Sequence, residues 1–159
     1  TPLRASGRRL LELGRSCLHR DYRGGTAMMH LWAGLADYIA RHGIEVLFGV
    51  ASFHGTDPAP LAGPLSLLHH RHLAPPELRP VARPEGFQRM DLIAEGDLDR
   101  PAAIRATPAL IKAYLRLGGC VGQGAYLDRA FNCIDVCLVL DVAKIPEKHR
   151  AIYRRGGAE

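Results

Sequence analysis

The feature that most constrains this chain is a succession of strand, glycine turn, helix and strand over residues 10–52. Residues 10–18 (LLELGRSCL) put Leu11, Leu13 and Cys17 on one parity and Glu12 and Ser16 on the other. That alternation predicts a half-buried strand. The turn HRDYRGG follows. Residues 26–42 then repeat Met29, Trp32, Leu35, Ala36 and Ile39 at three- and four-residue spacing. Thr26 suits the N-cap of this helix, and Gly43 stops it. Residues 45–52 (EVLFGVAS) form a nearly continuous apolar run, as in a strand covered on both faces. Such a βαβ unit predicts an α/β or α+β architecture, with its two strands near one another in one sheet.

The remainder fits the same class. Residues 57–72 predict a second helix, with Asp57 as its cap, Pro58 at its first position and Pro64 as an interruption. Residues 73–89 hold Pro75, Pro76, Pro80 and Pro84 and read as loop or edge structure. Thr107 and Pro108 predict the start of a helix that Gly118 and Gly119 end. A strand over residues 132–140 and a basic helix near 146–153 complete the reading.

At 159 residues the chain has the length of one domain. Its 47% hydrophobic and 23% charged residues describe a globular chain rather than a disordered one. Its longest apolar runs, such as residues 136–140, fall far short of the ~20 residues of a membrane span. Cys17, Cys120, Cys133 and Cys137 show no CxxC spacing, which fits a reducing, cytoplasmic setting. Cys17, Cys133 and Cys137 read as core residues. The net charge is +5. It gathers at the start, in Arg4, Arg8, Arg9, Arg15, Arg20 and Arg23, and at the end, from Lys144 to Arg155. A basic surface suits an anionic cofactor, an acidic carrier protein, an anionic membrane or nucleic acid.

Three features carry candidate chemistry. Arg23-Gly24-Gly25-Thr26 places backbone N–H groups at a helix N-terminus. It either cradles a phosphate, with Arg20 and Arg23 adding charge, or is an ordinary strand–helix turn. Glu12 and Arg15 on the preceding strand form either a general base with a carboxylate clamp or a structural ion pair. His54 and Asp57 follow the second strand in a polar loop, where substrate-contacting residues concentrate. The His69–His72 run has no partner set at zinc spacing, so no metal is expected. Asp135, inside an apolar strand, needs a partner, and an arginine is the natural candidate.

Taken together, ELGRSCLHRDYRGG, MMHLWAGLADYIARHGIE, LFGVASFHGTD and the tail PALIKAYLRLGGCVGQGAYLDRAFNCIDVCLVLD resemble the L-ornithine Nα-acyltransferases. These GNAT-type enzymes are also described as hemolysin-like. The resemblance implies a GNAT-like mixed central sheet flanked by helices. It also implies transfer of a 3-hydroxyacyl group from acyl carrier protein to the α-amine of L-ornithine, giving lyso-ornithine lipid. The donor would be the phosphopantetheine thioester, with no tightly bound cofactor. The partners would be acyl carrier protein, L-ornithine and an anionic membrane surface on the cytoplasmic side, and not nucleic acid.

On this resemblance Glu12 and Arg15 are the catalytic candidates. Arg20, Arg23, Gly24, Gly25 and Thr26 would take the phosphate, and Ala51, Ser52 and Phe53 the arm and thioester. His54 and Asp57 would meet substrate. The pattern Glu12-x-x-Arg15 is also similar to a strand motif of acyl-homoserine-lactone synthases. Thr26 and Met28 stand where the family's phosphate loop has small residues. The strands that open a GNAT domain have no counterpart ahead of residue 10, so residues 1–159 are expected to be the C-terminal portion of such a domain. A synthase of the homoserine-lactone type, or a non-catalytic carrier-binding module, are the alternative readings.

Overall fold

The computed structural model describes residues 1–14, 17, 19–23 and 26–147. Arg15, Gly24, Gly25 and the basic segment from residue 148 onward, with most of the helix expected near 146–153, lie outside the described residues. A six-stranded mixed sheet runs in the order β1-β2-β6-β5-β3. Its strands are β1 (Leu10–Glu12), β2 (Val46–His54), β3 (Phe87–Gln88), β4 (Cys120–Val121), β5 (Ala125–Asp128) and β6 (Cys133–Asp141). β1 runs parallel to β2, as the βαβ pattern predicts. β2 and β6 are antiparallel and form the spine. β4 and β5 pair with successive stretches of the other edge of β6.

The helices are α1 (Pro2–Ala5), α2 (Ala27–His42), α3 (Ala62–His72), α4 (Arg100–Ala106) and α5 (Ala109–Arg116). α2 ends as expected, with Gly43 in the left-handed conformation at φ 59°. Thr26 occupies the N-cap position, but its side chain makes no capping bond. α2, α3 and α5 cover one face of the sheet. There Leu65, Leu68 and Ile111 pack on Ala51, Phe53, Ile134, Val136 and Leu138. Trp32, Ile39 and Leu117 pack on Leu47 and Leu140. The opposite face is covered only at one end, where Leu3 and Leu78 pack on Val46 and Val139.

Several expectations are corrected. β1 stops at Glu12 rather than continuing to residue 18. β2 is covered on both faces only at its start. From Val50 onward one face is open, leaving Val50 60% exposed, because α1 and Leu78 do not reach that far. Pro64 does not interrupt a helix. It sits in the first turn of α3, where no intrahelical donor is missed, and Asp57 instead caps the preceding turn through the Ala59 N–H at 3.0 Å. Thr107 ends α4 rather than starting α5, its hydroxyl donating back to the Ala103 carbonyl at 2.8 Å. Cys17 is exposed, Cys133 buried and Cys137 half-buried.

Two polar devices fix the frame. Ser66, fully buried, donates to the Met90 carbonyl and accepts from Leu92 and Ile93, tying the segment after the proline-rich loop to α3. Arg8 holds Asp141 through two hydrogen bonds of 2.8 and 3.0 Å and also reaches Glu45. These bonds from the guanidinium keep the Asp141 carboxyl below its ordinary range. Arg9 donates to the His42 carbonyl at the end of α2. Two of the N-terminal arginines therefore hold the fold together.

Candidate functional site: a cleft where two strands part

The parallel ladder of β1 and β2 covers three residue pairs and ends at Glu12–Phe48. One further bond follows, from the Leu13 N–H to the Phe48 carbonyl at 2.7 Å. There β1 leaves the sheet. The Leu13 carbonyl oxygen lies against Gly49, so close that a Cβ at this position would overlap it. Gly49 therefore permits the divergence.

Past this point the edge of β2 is uncovered. Glu45 accepts from Val142 and Gly55 donates to Asn132, so the odd-numbered main-chain groups of β2 face β6. Those of Val50 and Ser52 consequently face away from β6, toward the gap. The gap is a cleft of about 660 Å³, within the range of about 300–1,000 Å³ usual for small-molecule sites.

Its lining falls into two parts. Glu12, Gly14, Phe48, Val50 and Ser52 form a mouth that reaches the open face of the sheet. Trp32, Leu35, Leu110, Tyr114, Leu138 and Leu140 form an apolar arm on the helix-covered face. The rings of Trp32 and Tyr114 meet at 5.4 Å, linking α2 to α5. The cleft thus passes through the sheet between β1 and β2.

Glu12 is exposed at the mouth, on the same face as Cys137. Burial, with the Glu12 carboxylate next, pushes the Cys137 thiol up to about 11. Burial also raises the Cys133 thiol. Both are held as neutral thiols near pH 7. Asp135 finds its partner in Cys133, whose thiol donates to it at 3.1 Å, in place of the expected arginine.

The expected site residues separate. Glu12, Ala51 and Ser52 line the cleft. Phe53 does not: it is 2% exposed and belongs to the core, further along β2, where Leu65, Leu68 and Ile111 share its cluster. His54 and Asp57 lie beyond the lining, exposed at the end of β2 and in the turn after it. Arg20, Arg23 and Thr26 are exposed ahead of α2, whose later residues form the cleft wall. Arg20 stands 3.5 Å from Asp21, which offsets part of its charge.

Sequence reasoning missed Gly49, Leu110 and Tyr114, and read Trp32 only as part of an apolar stripe. A glycine inside an apolar strand run was the available signal for Gly49. Among the described residues, no three His, Cys, Asp or Glu side chains gather as a metal-binding group.

The family described as "Acetyltransferase (GNAT) domain" matches residues 1–33, which contain β1 and the approach to α2. The chain is 66% identical over 155 residues to the L-ornithine N(alpha)-acyltransferase of Rhodobacter capsulatus, covering 98% of this chain and 59% of that relative. The chain is related to the L-ornithine Nα-acyltransferases. Relatives of the same name from Brucella abortus and Agrobacterium fabrum are each 42% identical, over 95% and 94% of this chain. The chain spans 53% and 51% of their lengths. No solved structure matches. The mixed sheet with flanking helices is the architecture that the resemblance to GNAT-type acyltransferases implied.

Proposed function

We propose that this chain carries the acyl-transfer cleft of an L-ornithine Nα-acyltransferase that takes a 3-hydroxyacyl group from acyl carrier protein. The observation that carries the reading is the through-sheet cleft, with an exposed carboxylate at its mouth and main-chain groups of β2 turned into it. An extended phosphopantetheine arm can hydrogen-bond to the uncovered edge of β2 as an added strand would. The N–H of Val50 or Ser52 then faces the thioester oxygen and stabilises the charge that develops there.

The ornithine α-amine attacks the thioester carbonyl from the open face. Glu12 accepts the amine proton, the C–S bond breaks, and the carrier thiolate leaves and takes that proton from Glu12. Direct attack is favoured because Cys133 and Cys137 are held as neutral thiols and so are poor nucleophiles. Arg20 and Arg23 steer the acidic carrier toward the start of α2. The reaction is placed at the cytoplasmic membrane surface, since its product is a lipid. Among the described residues, no helix is long and apolar enough to cross a membrane.

The test is to incubate the chain with 3-hydroxyacyl carrier protein and a panel of amino acids, followed by mass spectrometry of the lipid extract. Transfer to ornithine is expected, with Glu12→Gln lowering kcat/KM by about 10²–10⁴-fold. Transfer to no amine overturns the reading in favour of a carrier-binding module. Unchanged kcat/KM in the variant removes Glu12 as the base.

A further inference from the structure

We propose that the donor's acyl chain lies in the apolar arm of the cleft, between α2 and α5, and that the Trp32–Tyr114 pair is the stop that sets its length. The inference rests on the acyl-transfer reading and deepens it.

The two parts of the cleft differ in chemistry. The mouth offers the Glu12 carboxylate, the Ser52 hydroxyl and main-chain groups. The arm offers aliphatic and aromatic carbon. A molecule with a polar reactive head and a hydrocarbon tail has one favourable orientation in such a passage, since burying polar groups in the arm is penalised and burying methylenes there is rewarded.

The arm also has an open and a closed end. Leu31 and Leu110 line the cleft yet remain 46% and 48% exposed, one on each helix. They form exposed apolar lips. At the inner end, the rings of Trp32 and Tyr114 touch and pack in one cluster with Leu47, Leu117 and Leu140. A chain advancing along the arm meets this pair before it meets the core. The pair bridges α2 and α5, and its packing against Leu47, Leu117 and Leu140 opposes displacement of either ring.

Trp32 is the chain's one tryptophan, so its emission reports occupancy of the arm directly. The 159-residue chain is titrated with S-(3-hydroxyacyl)pantetheine thioesters of increasing even chain length, with calorimetry in parallel. Trp32 emission should change on binding. Affinity should rise about threefold to fourfold per methylene until the arm is full, then level or fall.

Tyr114→Ala should move that break to longer chains. Leu110→Phe, at an exposed position that leaves the fold intact, should move it to shorter ones, so the proposal does not depend on Tyr114→Ala folding. Far-UV circular dichroism checks both variants. Absence of binding, binding seen by calorimetry with no change in Trp32 emission, or an unmoved break in Leu110→Phe overturns the proposal. A length-dependent response without transfer to any amine keeps the arm and removes the acyl-transfer reading. Transfer without length dependence does the reverse.

Discussion

Residues 46–48 and residues 50–54 belong to one strand and share one partner, β6, yet their surroundings differ. The first stretch is paired on both edges and covered on both faces over Val46 and Leu47, which are 0% and 2% exposed. The second is paired on one edge only and has one open face, with Val50 60% exposed. Gly49 separates them. One strand is thus a structural support up to Phe48 and a cleft wall beyond it, and the change is made by the departure of β1. A parallel neighbour that leaves after three pairs exposes main-chain groups that an ordinary sheet would consume.

The comparison can be broken from its structural side. Leu47→Ala removes a core side chain and should lower stability by about 2–5 kcal/mol in urea unfolding, while Val50→Ser should stay within about 0.5 kcal/mol. Equal effects would mean that the two stretches are not differently held. Gly49→Ala places a methyl group against the Leu13 carbonyl. Because the obstacle is backbone, the expected loss is about 3 kcal/mol, accompanied by loss of thioester binding at the cleft. Full stability with unaltered binding would show that β1 parts from β2 without the glycine.

Asp141→Asn weakens the Arg8 bonds that hold the far end of β6 beside β2, and should lower stability by about 2 kcal/mol at pH 7. The carboxyl of Asp141 titrates below its unfolded range, so its contribution is complete above about pH 5. It disappears as the pH falls through the lowered folded value, below about 4. The difference between wild type and variant should therefore shrink when unfolding is repeated at pH 3. The smallest effect concerns thiols. At pH 8, Cys17 should react with a maleimide well before Cys137, whose thiol is raised to about 11 and half-buried on the open face. Equal labelling would place Cys137 in free contact with solvent and weaken its description as a neutral, shielded thiol.

Much of the fold is legible along the chain because it follows from local periodicity. α2, with its apolar stripe and its glycine stop, and the long strands β2 and β6 all emerge from spacing. α4 and the start of α5 do not, because Thr107 and Pro108 carry equally good signals for a start and for an end. The short strands β3, β4 and β5 pair over two to four residues each, too few for alternation to show. Within the site, Glu12 and Ser52 are legible as polar residues beside a turn and at a strand end. Phe53 is misplaced by sequence because how far the cleft runs along β2 before the core begins is a tertiary fact. Tyr114 and Leu110 lie more than fifty residues along the chain from the cleft residues of β1, α2 and β2, and only the docking of α5 brings them there.

The sequence by itself determined the βαβ order and the carboxylate beside the turn, since these depend on neighbours within a few residues. The tertiary structure decided where β1 abandons β2, which face of β2 stays open, and that α2 and α5 meet through Trp32 and Tyr114. Those outcomes depend on contacts between distant segments, where a close approach at Gly49 and the reach of a covering helix settle what no local pattern encodes.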